Sequence, residues 1–149
     1  MTTNPKSGDD QHHSAPLSLG DLIARARRRI SEISAEDLDT RLEDNESVLV
    51  IDVREPAEFA LGHIPGALLI PRGTLEAAAD AQSPHRVERL CGSREQSIVL
   101  YCESGGRSAL AAATLKDMGY KDVQSLAGGS VMWEAEGLPL VRETAAGSS

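Results

Sequence analysis

The sequence predicts an α/β fold, a mostly parallel sheet with helices on both faces. Two observations carry that expectation. Val48-Leu49-Val50-Ile51-Asp52-Val53 and Ser97-Ile98-Val99-Leu100-Tyr101 are near-continuous apolar runs, the pattern of strands buried on both faces. Strand-like runs also alternate with helix-like segments along the chain, the order that parallel connections impose. In such sheets ligands sit at the carboxyl ends of strands, so function is sought in the loops that follow these runs.

In chain order, residues 1–16 are polar and punctuated by Pro5, Gly8 and Pro16. They predict a disordered N-terminal tail and lack the apolar segment of a secretory signal. Residues 17–32 predict a helical extension. Ser18 caps it, Asp21 completes a capping box, and Leu19, Leu22, Ile23, Ala26 and Ile30 recur at helical spacing over 19–31. This helix lies outside the main domain pattern, free to pack on the domain or on a partner.

The main domain is expected over 33–141. Ser34 caps a helix with Glu36 and Asp37 in its first turn, where the dipole favours acids, and with Leu38 and Leu42 facing inward. The strand over 48–53 follows. Glu55-Pro56 starts a short helix, because proline fits the first helical position. Phe59 and Leu61 supply its apolar contacts, and Gly62 ends it in a left-handed conformation. Pro65-Gly66 marks a type II turn before a short strand over 67–70. A helix over 74–81 is broken at Pro84, and one or two helical turns are expected over 86–91. The strand ending at Tyr101 leads through a loop into an alanine-rich helix that reaches Met118, with Gly119 closing it. Residues 123–126 form a last strand. Gly128-Gly129 turns the chain into a helix capped by Ser130 and carrying Met132 and a core Trp133. Residues 142–149 read as a C-terminal tail.

Composition excludes several function classes. The chain of 149 residues suffices for one domain with a real core. Only 3% of its residues are aromatic and its formal charge is −8, which argues against nucleic acid as a partner. No apolar run approaches membrane-spanning length. The two cysteines, Cys91 and Cys102, show no CxxC or paired Cys/His spacing, so neither a metal nor a cofactor is expected. A cytoplasmic protein with reduced thiols is the expectation.

The most informative stretch is Cys102-Glu103-Ser104-Gly105-Gly106-Arg107-Ser108. A buried strand delivers a thiol to a glycine-rich loop that runs straight into a helix N-terminus. Inward-pointing backbone N–H groups and the helix dipole favour an anion there. Gly105 and Gly106 permit the backbone angles of such a cradle. Arg107 adds a fixed positive charge, and the Ser108 hydroxyl is expected to cap the helix.

These residues resemble a known family. Asp52-Val53-Arg54-Glu55, Gly62-His63-Ile64-Pro65-Gly66-Ala67, Tyr101-Cys102 through Arg107-Ser108, Met118-Gly119-Tyr120 and Leu126-Ala127-Gly128-Gly129 before Trp133 stand in the order of the single-domain rhodanese sulfurtransferases. The resemblance runs from Ile33 to Val141. It implies a rhodanese-like three-layer fold with a five-stranded, mostly parallel sheet. It also implies that Cys102 takes sulfur from a small-molecule donor such as thiosulfate, forming a persulfide, and passes it to cyanide, a thiol or a sulfur-accepting protein. Residues 103–108 would bind the substrate and stabilise the persulfide.

The rival enzyme reading is a phosphatase or arsenate reductase of related fold, whose loop carries one residue more between Cys and Arg. Here four residues lie between Cys102 and Arg107, which favours sulfur. A non-enzymatic sulfur-carrier or regulatory module is the remaining alternative. Glu103 stands where many thiosulfate-using relatives are basic. An acid there opposes thiolate formation and repels a dianion, so slow thiosulfate turnover is expected. Asp52, Arg54 and Arg72 are candidates for pocket support, with an ion pair or a surface position as the simpler readings. Glu58 and His63 read as structural, and Cys91 as a helix cysteine, with a disulfide to Cys102 or a sulfur relay as the alternatives.

Overall fold

The computed structural model describes residues 15–142, so the predicted tails fall almost wholly outside the described residues. In order, the elements are α1 Leu19–Arg29, β1 Ser31–Ile33, α2 Ala35–Glu43, β2 Val48–Asp52, α3 Pro56–Leu61 and β3 Leu68–Leu69. A 3₁₀ turn Arg72–Thr74 leads into α4 Leu75–Ala79, followed by α5 Glu88–Cys91, β4 Ser97–Tyr101, α6 Gly106–Asp117, β5 Asp122–Leu126 and α7 Gly129–Ala135. The five strands lie in the order β1-β5-β4-β2-β3, and every pairing is parallel.

Period-two alternation divides the strand side chains between two cores. Leu49, Ile51, Ile98 and Leu100 face α4, α5 and α6, where Leu75, Leu90, Ala111, Ala112 and Leu115 meet them. Val50, Val99 and Tyr101 face the other way, onto Leu38 of α2 and Trp133 of α7. Trp133 is 1% exposed, and its indole N–H donates to the Pro139 carbonyl at 2.8 Å. Cys102 continues the alternation and falls on the α6 side.

The capping signals at Ser18 and Ser34 are present as expected, with both hydroxyls accepting from the N3 amide. Pro56 occupies the first turn of α3. The Ala67 amide donates to the Ile64 carbonyl at 3.0 Å, and Gly66 has φ +84°, which closes the expected turn.

Several expectations are corrected. The first helix stops at Arg29 rather than 31, because Ile30 is extended and Ser31–Ile33 pairs with Gln124–Leu126. That helix packs on α6, with Ala26 against Ala109 and Ala113. Gly62 is extended at φ 162°, not left-handed, and Leu61 is 73% exposed rather than a core contact. The helix expected over 74–81 is shortened to α4 behind a 3₁₀ turn. Neither Ser108 nor Ser130 is an N-cap. Gly105 and Gly128, both with positive φ, hold those positions and leave the serines inside the first turn.

Candidate active site

The site forms where β4 ends. Cys102 is 1% exposed, and the chain after it curls back so that the Gly105 N–H donates to Sγ at 3.1 Å and the Ser108 N–H at 3.3 Å. The curl depends on Gly105 at φ +106°, a conformation costly for any residue with a Cβ. The Ser108 hydroxyl lies 3.5 Å from Sγ, and its other neighbour is the Ser125 hydroxyl of β5 at 2.8 Å. Sulfur thus has two amide donors and one hydroxyl at the N-terminus of α6, where partial positive charge collects. Glu103 and Ser104 form the exposed crest of the loop.

Other elements hold the loop from behind. The Ser130 and Val131 amides at the start of α7 donate to the carbonyls of Cys102 at 2.8 Å and Glu103 at 3.0 Å. Their approach is so close that a Cβ on Gly129 would lie 2.4 Å from both carbonyl oxygens. On the other flank, Ile23 of α1 reaches the loop: its Cδ1 lies 2.8 Å from where a Cβ on Gly106 would be.

Arg107 is anchored sideways. Its guanidinium makes a two-pronged bridge to Glu58 of α3 at 3.1 and 3.2 Å. Hydrogen bonds from Arg107 hold the Glu58 carboxyl below its ordinary pKa, and Glu58 in turn raises that of Arg107. Arg54, Glu58, Leu61, Glu103, Val131 and Glu134 line a cleft of about 280 Å³ beside the loop.

The remaining predicted residues divide. Asp52 and Arg54 form a buried ion pair at 2.7 Å, and Arg54 also donates to the Gly62 carbonyl at 2.7 Å while lying over the Tyr101 ring. Burial pushes the Tyr101 phenol far above its usual pKa, and its oxygen accepts from the Ile64 amide. This knot braces the end of β4, and Arg54 shows one face to the cleft. Arg72 is not brought to the loop. It bonds Glu76 and Thr114 and borders a separate hollow between α1 and α6. Cys91 lies beside Ser97, at the opposite end of β4 from Cys102. The five-residue strand β4, roughly 16 Å long, runs between those two ends, which puts the pair beyond disulfide reach. His63 stacks on Phe59 at 3.7 Å.

Two contributors escaped the sequence reading. Ser125 lies 17 positions from Ser108, in a strand too short and mixed to single out one serine. Glu58 has the structural role expected of it, but its partner in the loop lies 49 positions away and no local signal names it.

Comparisons with known proteins bear on the family and the fold. The Rhodanese-like domain family matches residues 34–136. A protein named sulfurtransferase from Allochromatium vinosum is 40% identical over 112 residues, which cover 75% of this chain and 95% of that protein. A putative sulfur carrier protein from Bacillus subtilis, YrkF, is 35% identical over 70% of this chain, which spans only about half of that longer protein (51%). A solved structure from Rhodopseudomonas palustris, of unknown function and described as a possible tyrosine phosphatase, shares 32% identity at a TM-score of 0.80, covering 86% of this chain and 97% of that one. With its parallel five-stranded sheet and a cysteine loop cradled at a helix N-terminus, the chain belongs to the rhodanese-like domain family.

Proposed function

We propose that the protein is a sulfurtransferase that carries sulfane sulfur as a persulfide on Cys102. The observation that carries this reading is the convergence of the Gly105 and Ser108 amides on Sγ at the start of α6. Donors aimed at one sulfur stabilise an anion there and need no reorganisation when it forms. The name of the Allochromatium vinosum relative points the same way.

The chemistry is two displacements at sulfur. The Cys102 thiolate attacks the outer sulfur of the donor. A new S–S bond forms at Sγ, and the donor's own S–S bond breaks with its electron pair, releasing sulfite when the donor is thiosulfate. The persulfide anion inherits the loop amides. An acceptor thiolate, or cyanide, then attacks the outer sulfur and returns Cys102 as thiolate. Sulfite is a good leaving group, so no general acid is required.

Incubation with thiosulfate or a low-molecular-weight persulfide, followed by intact-mass measurement, tests this. Wild type is expected to gain the mass of one sulfur atom and Cys102→Ser none. Hydrolysis of an aryl phosphate by a protein that takes no sulfur from either donor would instead select the phosphatase reading.

A further inference from the structure

The sulfur on Cys102 is the first member of a buried row of three groups. Ser108 Oγ lies 3.5 Å from it, and Ser125 Oγ lies 2.8 Å beyond. Both serines are 0% exposed, so water does not substitute for a missing partner. Among the described residues, the Ser125 hydroxyl has no other hydrogen-bond partner.

Counting hydrogens shows what the row favours. Two links join its three members. When Cys102 is a thiol, the row holds three hydrogens, and one is left without an acceptor inside it. When the sulfur is an anion, the row holds two hydrogens for two links. Ser125 then donates to Ser108, and Ser108 donates to sulfur. Burial leaves Ser125 no competing acceptor, so its hydrogen occupies the Ser108 oxygen and turns the Ser108 hydrogen toward Cys102.

We propose that Ser125 is a positioning residue that aims the Ser108 hydroxyl at Cys102 and thereby favours the anionic sulfur, both thiolate and persulfide. The proposal deepens the sulfur-transfer reading and rests on it for its purpose, but its geometry can be tested without sulfur transfer. Charged groups around the sulfur come from other elements. They are Glu103 and Arg107 in the loop, Glu58 of α3 bridged to Arg107, the Asp52–Arg54 pair at the end of β2, Glu134 of α7 beside the cleft, Arg27 of α1, whose guanidinium nears Gly105, and Glu32 of β1, which bridges Arg27 and stands beside Ser125 in the sheet. A change at Ser125 leaves each of these in place, so a shift in thiol titration reports the hydroxyl row.

The experiment is the pH dependence of iodoacetamide alkylation, read at Cys102 alone by peptide mapping. Ser125→Ala should move the midpoint upward by about half a pH unit or more, since an anion loses an oriented donor. Ser108→Ala should move it at least as far. Ser125→Ala added to Ser108→Ala should then move it no further, because Ser125 acts only through Ser108. Ser125→Cys, close in size with a weaker donor, should give a smaller shift of the same sign and serves if the alanine variant does not fold. An unmoved midpoint in either Ser125 variant, or additive shifts in the double variant, overturns the proposal. A parallel sulfur-loading measurement separates the two claims: if Cys102 takes no sulfur from any donor, the transfer reading falls, while the alkylation profiles still decide the role of Ser125.

Discussion

At the scale of one residue, the proposed donor preference rests on Glu103. Its carboxylate stands at the exposed crest of a cradle built for an anion. A dianionic donor approaching Cys102 meets that charge before it meets the amides behind it. Glu103→Arg is expected to raise kcat/KM with thiosulfate by about tenfold at low salt, with the gain shrinking as ionic strength rises. Steady-state assays at two salt concentrations check this, and an unchanged or lower value would refute the role given to Glu103. Contiguity explains what the sequence could show here. Cys102 through Ser108 are consecutive, so their types and spacing are visible together. Ser125 and Glu58 meet the loop only after folding, and nothing near either residue announces the contact. Ser108 is visible but ambiguous: a serine near a helix start suggests a cap, whereas Gly105 with its positive φ holds the cap position and Ser108 lies inside the first turn, facing sulfur.

At the scale of elements, α3 and α7 brace the loop by different means. The α3 brace is the Glu58–Arg107 bridge. Its carboxyl pKa is depressed in the folded protein, so its stabilisation is complete above the ordinary glutamate pKa and is lost as pH falls through the folded value. Both side chains are about a third exposed, which limits its worth to under about 1 kcal/mol. Urea unfolding of wild type and Glu58→Gln should therefore differ slightly at pH 7, and the difference should shrink as pH falls below the ordinary glutamate range; a difference that grows on acidification would contradict this sign. The α7 brace is steric. Gly129 lies against two carbonyl oxygens at a positive φ of 59°, so Gly129→Ala should lose at least about 2 kcal/mol of stability in urea melts and lower sulfur loading as the loop shifts. Elements also show where sequence reading ran out. The long apolar strands β2 and β4 were legible because both faces are buried. β1 was not, because it has three residues, two of them exposed, and only its backbone pairing with β5 makes it a strand.

For the whole molecule, the N-terminal helix is part of the folded body. It covers Ala109 and Ala113 on α6 through Ala26, and bonds join Arg29 to Asp117 and Lys116 to the Arg29 carbonyl. Removing residues 1–29 should lower Tm by about 5 °C or more, from the apolar area exposed on α6. Calorimetry of the truncated chain checks this, and an unchanged Tm would show that α1 contributes nothing to the domain. Helical periodicity reveals α1 itself but not its docking surface, because an aliphatic stripe fits a neighbouring helix and a separate partner equally well.

The position of β1 has a consequence for synthesis. Ser31–Ile33 leaves the ribosome well before its partner strand, Asp122–Leu126, with every other strand of the sheet made between them. The nascent sheet therefore keeps an open edge until β5 has emerged, and this long-range pairing makes closure a late step. Ser125 belongs to the same late strand. Cys102 emerges ahead of Ser125 and gains the hydroxyl row behind it only once β5 has joined the sheet.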